Sequence, residues 1–184
     1  GLAIMTRIAG LWGPDDKPRL ASLEKMLRGF QGSQEIVSSG SCSLGISLAG
    51  PGSIAQIGEH LLVLDGLLYE PAASDASDAH VLLEGFLDRG LEAFLSSSIG
   101  DFAFAWCDAK QGALTLGRDH FGMRPLYFSV AGSTWAFCSQ PRGLLSLESV
   151  TAEADQGYVV RYGAMHYRLI EGGGETSPYR DILQ

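Results

Sequence analysis

Short apolar runs recur along the chain, and Gly, Ser and Asp separate them. Thr6–Trp12 reads as a strand that ends at the turn Gly13-Pro14-Asp15-Asp16. Over Lys17–Phe30, Leu20, Leu23, Met26, Leu27 and Phe30 fall on one face, which predicts a helix. Gln31–Ser41 is polar and loop-like apart from Ile36 and Val37. Cys42–Leu48 alternates as a strand, Ile57–Leu64 predicts a second, and Asp65-Gly66 predicts a turn. Asp78–Phe94 is the clearest helix: Val81, Leu82, Gly85, Phe86 and Gly90 keep helical spacing, and Ser77 is placed to cap it. Asp101–Asp108, Ala113–Arg118, Leu126–Ala131 and Thr134–Ser139 predict antiparallel hairpins. Arg142–Leu147 predicts one helical turn, and Gly157–Tyr162 with Ala164–Arg168 a last hairpin around Gly163. The run Gly172-Gly173-Gly174 divides the chain into a domain over 5–170 and a linker or tail over 171–184. About two helices and eight or more antiparallel strands pack most economically as two sheets flanked by helices.

Composition narrows the function classes. A chain of 184 residues with 46% hydrophobic residues suits one folded domain. The balance of 13 basic and 21 acidic residues, with no basic stripe, argues against nucleic acid and against an anionic membrane surface. No apolar run is long enough to span a bilayer, and Gly1–Gly10 lacks the features of a signal peptide, so a cytoplasmic location is expected. Cys42, Cys107 and Cys138 are dispersed and odd in number, which predicts free buried thiols in a reducing compartment. His60, His80, His120 and His166 are far apart, and no Cys-x-x-Cys or His-Glu-x-x-His occurs, so no metal site is expected.

One ordered series of segments carries more. Gly100-Asp101-Phe102-Ala103-Phe104-Ala105-Trp106-Cys107-Asp108 precedes Gly117-Arg118-Asp119-His120-Phe121-Gly122-Met123-Arg124-Pro125-Leu126-Tyr127-Phe128. Phe137-Cys138-Ser139-Gln140-Pro141-Arg142-Gly143-Leu144-Leu145 follows. The series resembles the N-terminal glutaminase domain of asparagine synthetases, a class II glutamine amidotransferase domain. Its motifs read G-x-F-A-F-A-x-x-D, then Gly-Arg-Asp-x-x-Gly-x-x-Pro-Leu-Tyr, then F-x-S-E-x-K-A-L-L. The resemblance implies an α+β fold of the N-terminal-nucleophile hydrolase type, an αββα sandwich of two antiparallel sheets between helical layers. Arg118 and Asp119 are expected to brace the central hairpin, with Gly122 and Pro125 setting its turn.

In that family a free N-terminal cysteine attacks the glutamine side-chain amide, with its own α-amino group as base. An Asn-Gly pair stabilises the oxyanion, and an arginine and an aspartate hold the substrate's carboxylate and ammonium. Here Met5-Thr6-Arg7-Ile8-Ala9-Gly10 matches the family start Met-Cys-Gly-Ile-Ala-Gly, so Thr6 takes the nucleophile position. Asp65-Gly66 takes the Asn-Gly position, and an ionised aspartate donates no hydrogen bond to an oxyanion. Ser43-Leu44-Gly45-Ile46 falls where the family has Arg-Leu-Ser-Ile, without the arginine. Asp78, in Ser77-Asp78, matches the family aspartate, and it equally suits a carboxylate at a helix N-terminus. Cys42 lacks a neighbouring base and reads as a small core residue rather than a replacement nucleophile.

The resemblance therefore implies a glutamine amidotransferase domain without glutaminase activity. Such a domain would serve as the structural part of an ATP-dependent amide-forming synthetase, as in lasso-peptide cyclase or β-lactam synthetase relatives. The alternative is an active amidohydrolase with a processed N-terminal Thr6. A third reading reuses the pocket, with Asp65 and Asp78, for a cationic ligand. No cofactor is expected in this domain; ATP and Mg²⁺ would belong to an adjoining synthetase domain, since no Ser-Gly-Gly-x-Asp-Ser loop occurs here. Expected partners are that synthetase domain in the same or another chain, glutamine or another small amine or amide, and a second copy of the chain.

Overall fold

A computed structural model describes residues 5–14, 19–71, 75–165 and 176–184. Its elements run β1 (Arg7–Trp12), α1 (Arg19–Leu27), β2 (Ser33–Ser39), β3 (Cys42–Leu48), β4 (Gly52–Ile57) and β5 (His60–Glu70). After these come α2 (Asp78–Arg89), α3 (Leu91–Leu95), β6 (Ile99–Asp108), β7 (Ala113–Arg118), β8 (Tyr127–Ala131), β9 (Thr134–Cys138), α4 (Pro141–Leu144) and α5 (Gln156–Met165). One sheet has the order β2-β3-β1-β9-β8 and the other β4-β5-β6-β7. All the ladders are antiparallel.

Three apolar layers separate the elements. Leu23, Met26 and Leu27 of α1 pack with Ala9, Leu11, Ala136 and Cys138 on the outer face of the first sheet. Leu82, Leu83 and Phe86 of α2 pack with Leu62, Leu64, Phe104 and Trp106 on the outer face of the second. Between the sheets lie Ile8, Leu44, Ile46, Leu61, Val63, Ala103, Ala105 and Phe137. Residues 61–64 thus contribute to both layers alternately, which is why this strand is an unbroken apolar run. The result is the αββα sandwich of the sequence reading.

Several expectations change. The loop-like Gln31–Ser41 contains β2, which pairs with β3 from Ser33–Leu48 to Ser39–Cys42. Its polar pattern reflects an edge strand with little burial. Asp65-Gly66 is not a turn but lies within β5, opposite Ala103 and Phe102 of β6. Gly66 has φ +121°, and a Cβ there would run into the Asp101 carbonyl oxygen. The glycine therefore serves close strand approach rather than chain reversal. Gly90, with φ +83°, splits the long helix into α2 and α3.

The last hairpin is also corrected. Residues 156–165 form α5, and 166–168 lie outside the described residues. Asp155 Oδ1 accepts from Tyr158 N at 2.6 Å, and Val159 N donates to the Asp155 carbonyl. This local cap favours the helix over the β-propensity of Val159 and Val160. Cys42 and Cys107, expected as free thiols, form a disulfide between β3 and β6 with their Cα atoms 6.5 Å apart. Both project into the layer between the sheets, a juxtaposition that only the stacking of the sheets creates. Residues 171–175 of the expected tail lie outside the described residues. Thr176–Gln184 packs back on the sandwich, with Ile182 buried and Leu183 pairing with Phe128.

Candidate functional site

Thr6 immediately precedes β1 and keeps the inward phase of Ile8. Its side chain is buried beneath the segment Ala49-Gly50-Pro51-Gly52. Thr6 Oγ1 donates to the Gly50 carbonyl at 2.7 Å and accepts from Gly50 N at 3.1 Å. A Cβ at Gly52 would lie 2.6 Å from Thr6 Cγ2, so only glycine lets this segment close over the side chain. Arg7 Nη1 donates to the Thr6 carbonyl at 2.8 Å.

Asp65 continues the inward phase of Leu61 and Val63, and it is fully buried. Ser139 Oγ donates to its Oδ2 at 3.3 Å. Ser139 sits just after β9, where its Oγ also accepts from Ile8 N at 2.9 Å. Arg124 Nη1 lies 3.5 Å from Asp65 Oδ1, which accepts no hydrogen bond among the described residues. Burial raises the Asp65 carboxyl to about 6, and Arg124, Arg7 and the Ser139 bond oppose that rise. The neighbouring Gly66 N–H donates to the Pro51 carbonyl at 3.1 Å. The Gly66 donor is thus engaged within the chain.

Asp78 begins α2, and its Oδ2 accepts from Leu68 N at 3.0 Å. Ser77 caps the same helix, accepting from His80 N at 3.3 Å. Asp78 therefore ties the helix start to the backbone of β5. Thr6, Asp65 and Gly66 share one end of the sandwich, where Gly50 and Pro51 of a single segment engage Thr6 and Gly66. Arg124 and Ser139 enter the sequence reading only as parts of scaffold motifs, and the structure puts both on Asp65. A serine placed directly after the apolar run Trp135–Cys138 was the available signal.

The loop carrying Arg124 is braced by Asp119. Its Oδ1 accepts from Phe121 N at 2.9 Å, and its Oδ2 accepts from Met123 N at 3.1 Å and Phe102 N at 3.2 Å. Gly122 N donates to the Asp119 carbonyl, with φ +60° at Gly122. Asp119 is thereby the expected scaffold residue. The brace holds Phe121 outward, 89% exposed. Among the described residues no group of three or more His, Cys, Asp or Glu side chains converges as a metal cage. No helix among them is long and apolar enough to cross a membrane.

Comparison with known proteins places this arrangement. Asparagine synthetase B [glutamine-hydrolyzing] of Escherichia coli strain K12 is 37% identical over 79 residues, covering 37% of this chain and 14% of that protein. Asparagine synthetase [glutamine-hydrolyzing] 3 of Bacillus subtilis strain 168 is 31% identical over 80 residues, covering 44% and 13%. The chain thus spans about one seventh of the length of these curated relatives. Glutamine phosphoribosylpyrophosphate amidotransferase from B. subtilis shares the fold with a TM-score of 0.57 at 15% identity, over 75% of this chain and 42% of that one. An allosteric regulatory enzyme of purine biosynthesis gives 0.51 at 16% identity, over 76% and 43%. A profile of the glutamine amidotransferase domain family matches residues 63–183, from the strand of Asp65 through the Arg124 loop to the final packed segment. On that match the chain belongs to the glutamine amidotransferase domain family, in its class II, asparagine-synthetase type.

Proposed function

We propose that this domain supports an ATP-dependent amide-forming synthetase and does not itself hydrolyse glutamine. The observation that carries this reading is the commitment of the Thr6 hydroxyl to both the N–H and the carbonyl of Gly50, beneath a closed segment. A nucleophilic hydroxyl must pass its proton to a base and be open to substrate, whereas here a backbone carbonyl holds that proton and the side chain is fully buried. The second support is Asp65. A carboxylate at the oxyanion position repels the charge that develops during amide hydrolysis, and Gly66 N–H already has a partner. Asp78, spent on Leu68 N, is occupied in the role of a helix-start carboxylate. In this reading ATP and Mg²⁺ are held by the synthetase domain, in the same or another chain, and the cytoplasm is the proposed location by resemblance.

The test is glutamate release from glutamine by protein trimmed to begin at Thr6. The expected result is no release above the Thr6→Ala background. Release that Thr6→Ala abolishes would overturn the proposal and establish the alternative, a threonine amidohydrolase.

A further inference from the structure

The end of the sandwich opposite Thr6 holds the Cys42–Cys107 bond. On β1, Trp12 is six residues beyond Thr6, about 20 Å at the rise of a strand. Trp12 pairs with Cys42 on β3, and Cys107 on β6 pairs with Leu61 on β5. The bond joins residues 65 apart and links one sheet to the other covalently. Both cysteines are buried in the inter-sheet layer, yet a cavity reaches them. Cys42 and Cys107 form part of the wall of a cavity of about 210 Å³, which Ser39, Ser41, the exposed Glu59 and the buried Asp108 also line.

We infer that the Cys42–Cys107 bond is a reversible redox modification site, opened by a small dithiol that enters through this cavity. One thiolate of the dithiol attacks a cystine sulfur, forming a mixed disulfide and expelling the other cysteine as a thiolate, which takes a proton. The second thiol then attacks the mixed disulfide, closes the reagent into its own cyclic disulfide and releases the second protein thiol. Two electrons and two protons pass to the protein. The remaining cysteine stays out of the exchange. Cys138 is fully buried on the other face of its sheet, and burial pushes its thiol up to about 12, so it offers negligible thiolate. The exposed carboxylate of Glu59 adds selectivity, because it repels an anionic thiol and attracts a cationic one; Asp108 is buried, its Oδ1 accepting from Lys110 N and Gln111 N.

Alkylation of the full chain, purified without reductant, tests this inference. In guanidinium only Cys138 should label, with Cys42 and Cys107 recovered as one cross-linked peptide. Under native conditions dithiothreitol should make Cys42 and Cys107 reactive while Cys138 stays unlabelled. Reduction should lower Tm by roughly 10 °C, from the loop closure that is lost. The Cys42→Ser/Cys107→Ser variant should melt at the reduced value with or without reductant. At low salt, cysteamine should exchange several-fold faster per thiolate than mercaptopropionate, with the gap narrowing in high salt. Three labelled thiols in the unreduced, denatured protein would overturn the bond. Reduction no faster than global unfolding, or equal rates for the two charged thiols, would overturn the cavity route.

Discussion

Asp65 is the residue whose chemistry departs furthest from its surroundings. Its neighbours in phase, Leu61 and Val63, are apolar and buried, and its carboxylate shares their layer. Its folded-state value of about 6 exceeds the ordinary 3.8, so the folded protein binds the proton more tightly than the unfolded chain. The contribution of Asp65 to stability is then fullest below pH 3.8, falls between pH 3.8 and 6, and above that is a constant cost of about 3 kcal/mol. Asp65→Asn should therefore stabilise the domain at pH 8 by about 1–2 kcal/mol, the gain reduced because Arg124 loses its ionic partner. The gain should vanish near pH 4. Urea denaturation at both pH values checks this, and a loss of stability at pH 8 would refute the assignment. That Thr6, Asp65 and Gly66 belong together was legible from the motif order, and the structure brings them to one end of the sandwich. Their hydrogen bonds were not, because Gly50, Pro51 and Ser139 lie 44, 15 and 74 residues from the groups they meet.

At the level of elements, hydrophobic phase located both the buried strand β3 and the half-buried edge strand β7. Cys42–Leu48 and Ala113–Arg118 have the boundaries the pattern predicts. The misreadings arose where a local signal has two physical meanings. An Asp-Gly pair usually reverses a chain, yet here the left-handed glycine lets β6 approach β5. Val159-Val160 favours a strand, yet Asp155 caps a helix. Asp119 shows the converse, a motif residue whose expected bracing role the structure makes concrete. Asp119→Ala would strand three backbone N–H groups, two of them in the Arg124 loop. The expected cost is about 2–4 kcal/mol. Hydrogen exchange at Phe121 and Met123 should accelerate well beyond the global change, and uniform acceleration would count against the brace.

For the whole molecule, the decisive organisation is the inner layer between the sheets. One end holds Thr6 and Asp65, and the other holds the disulfide. The stacking was legible from strand count and turn chemistry; the cross-sheet pairs were not, since sequence separation carries no trace of them. The extent of the domain was obscured by the glycine run. Thr176–Gln184 returns to the sandwich: Leu183 exchanges two hydrogen bonds with Phe128, and Arg180 N donates to the Glu153 carbonyl. Ile182→Ala should therefore cost about 2–4 kcal/mol, as for any core residue, measured by thermal or urea unfolding. A change under 0.5 kcal/mol would mean that the segment is an appendage.

The Asp119 brace has one more consequence. A flexible loop that buries an aromatic ring against another molecule must first lose its freedom, and that entropy subtracts from the affinity. Around Phe121 the backbone is already fixed in the free domain by the Asp119 carboxylate. Only the ring's own rotamers remain to be ordered, so a surface that covered it would keep most of the roughly 2–3 kcal/mol of its desolvation. The domain presents this ring preorganised, with most of the ordering cost met when the chain folds.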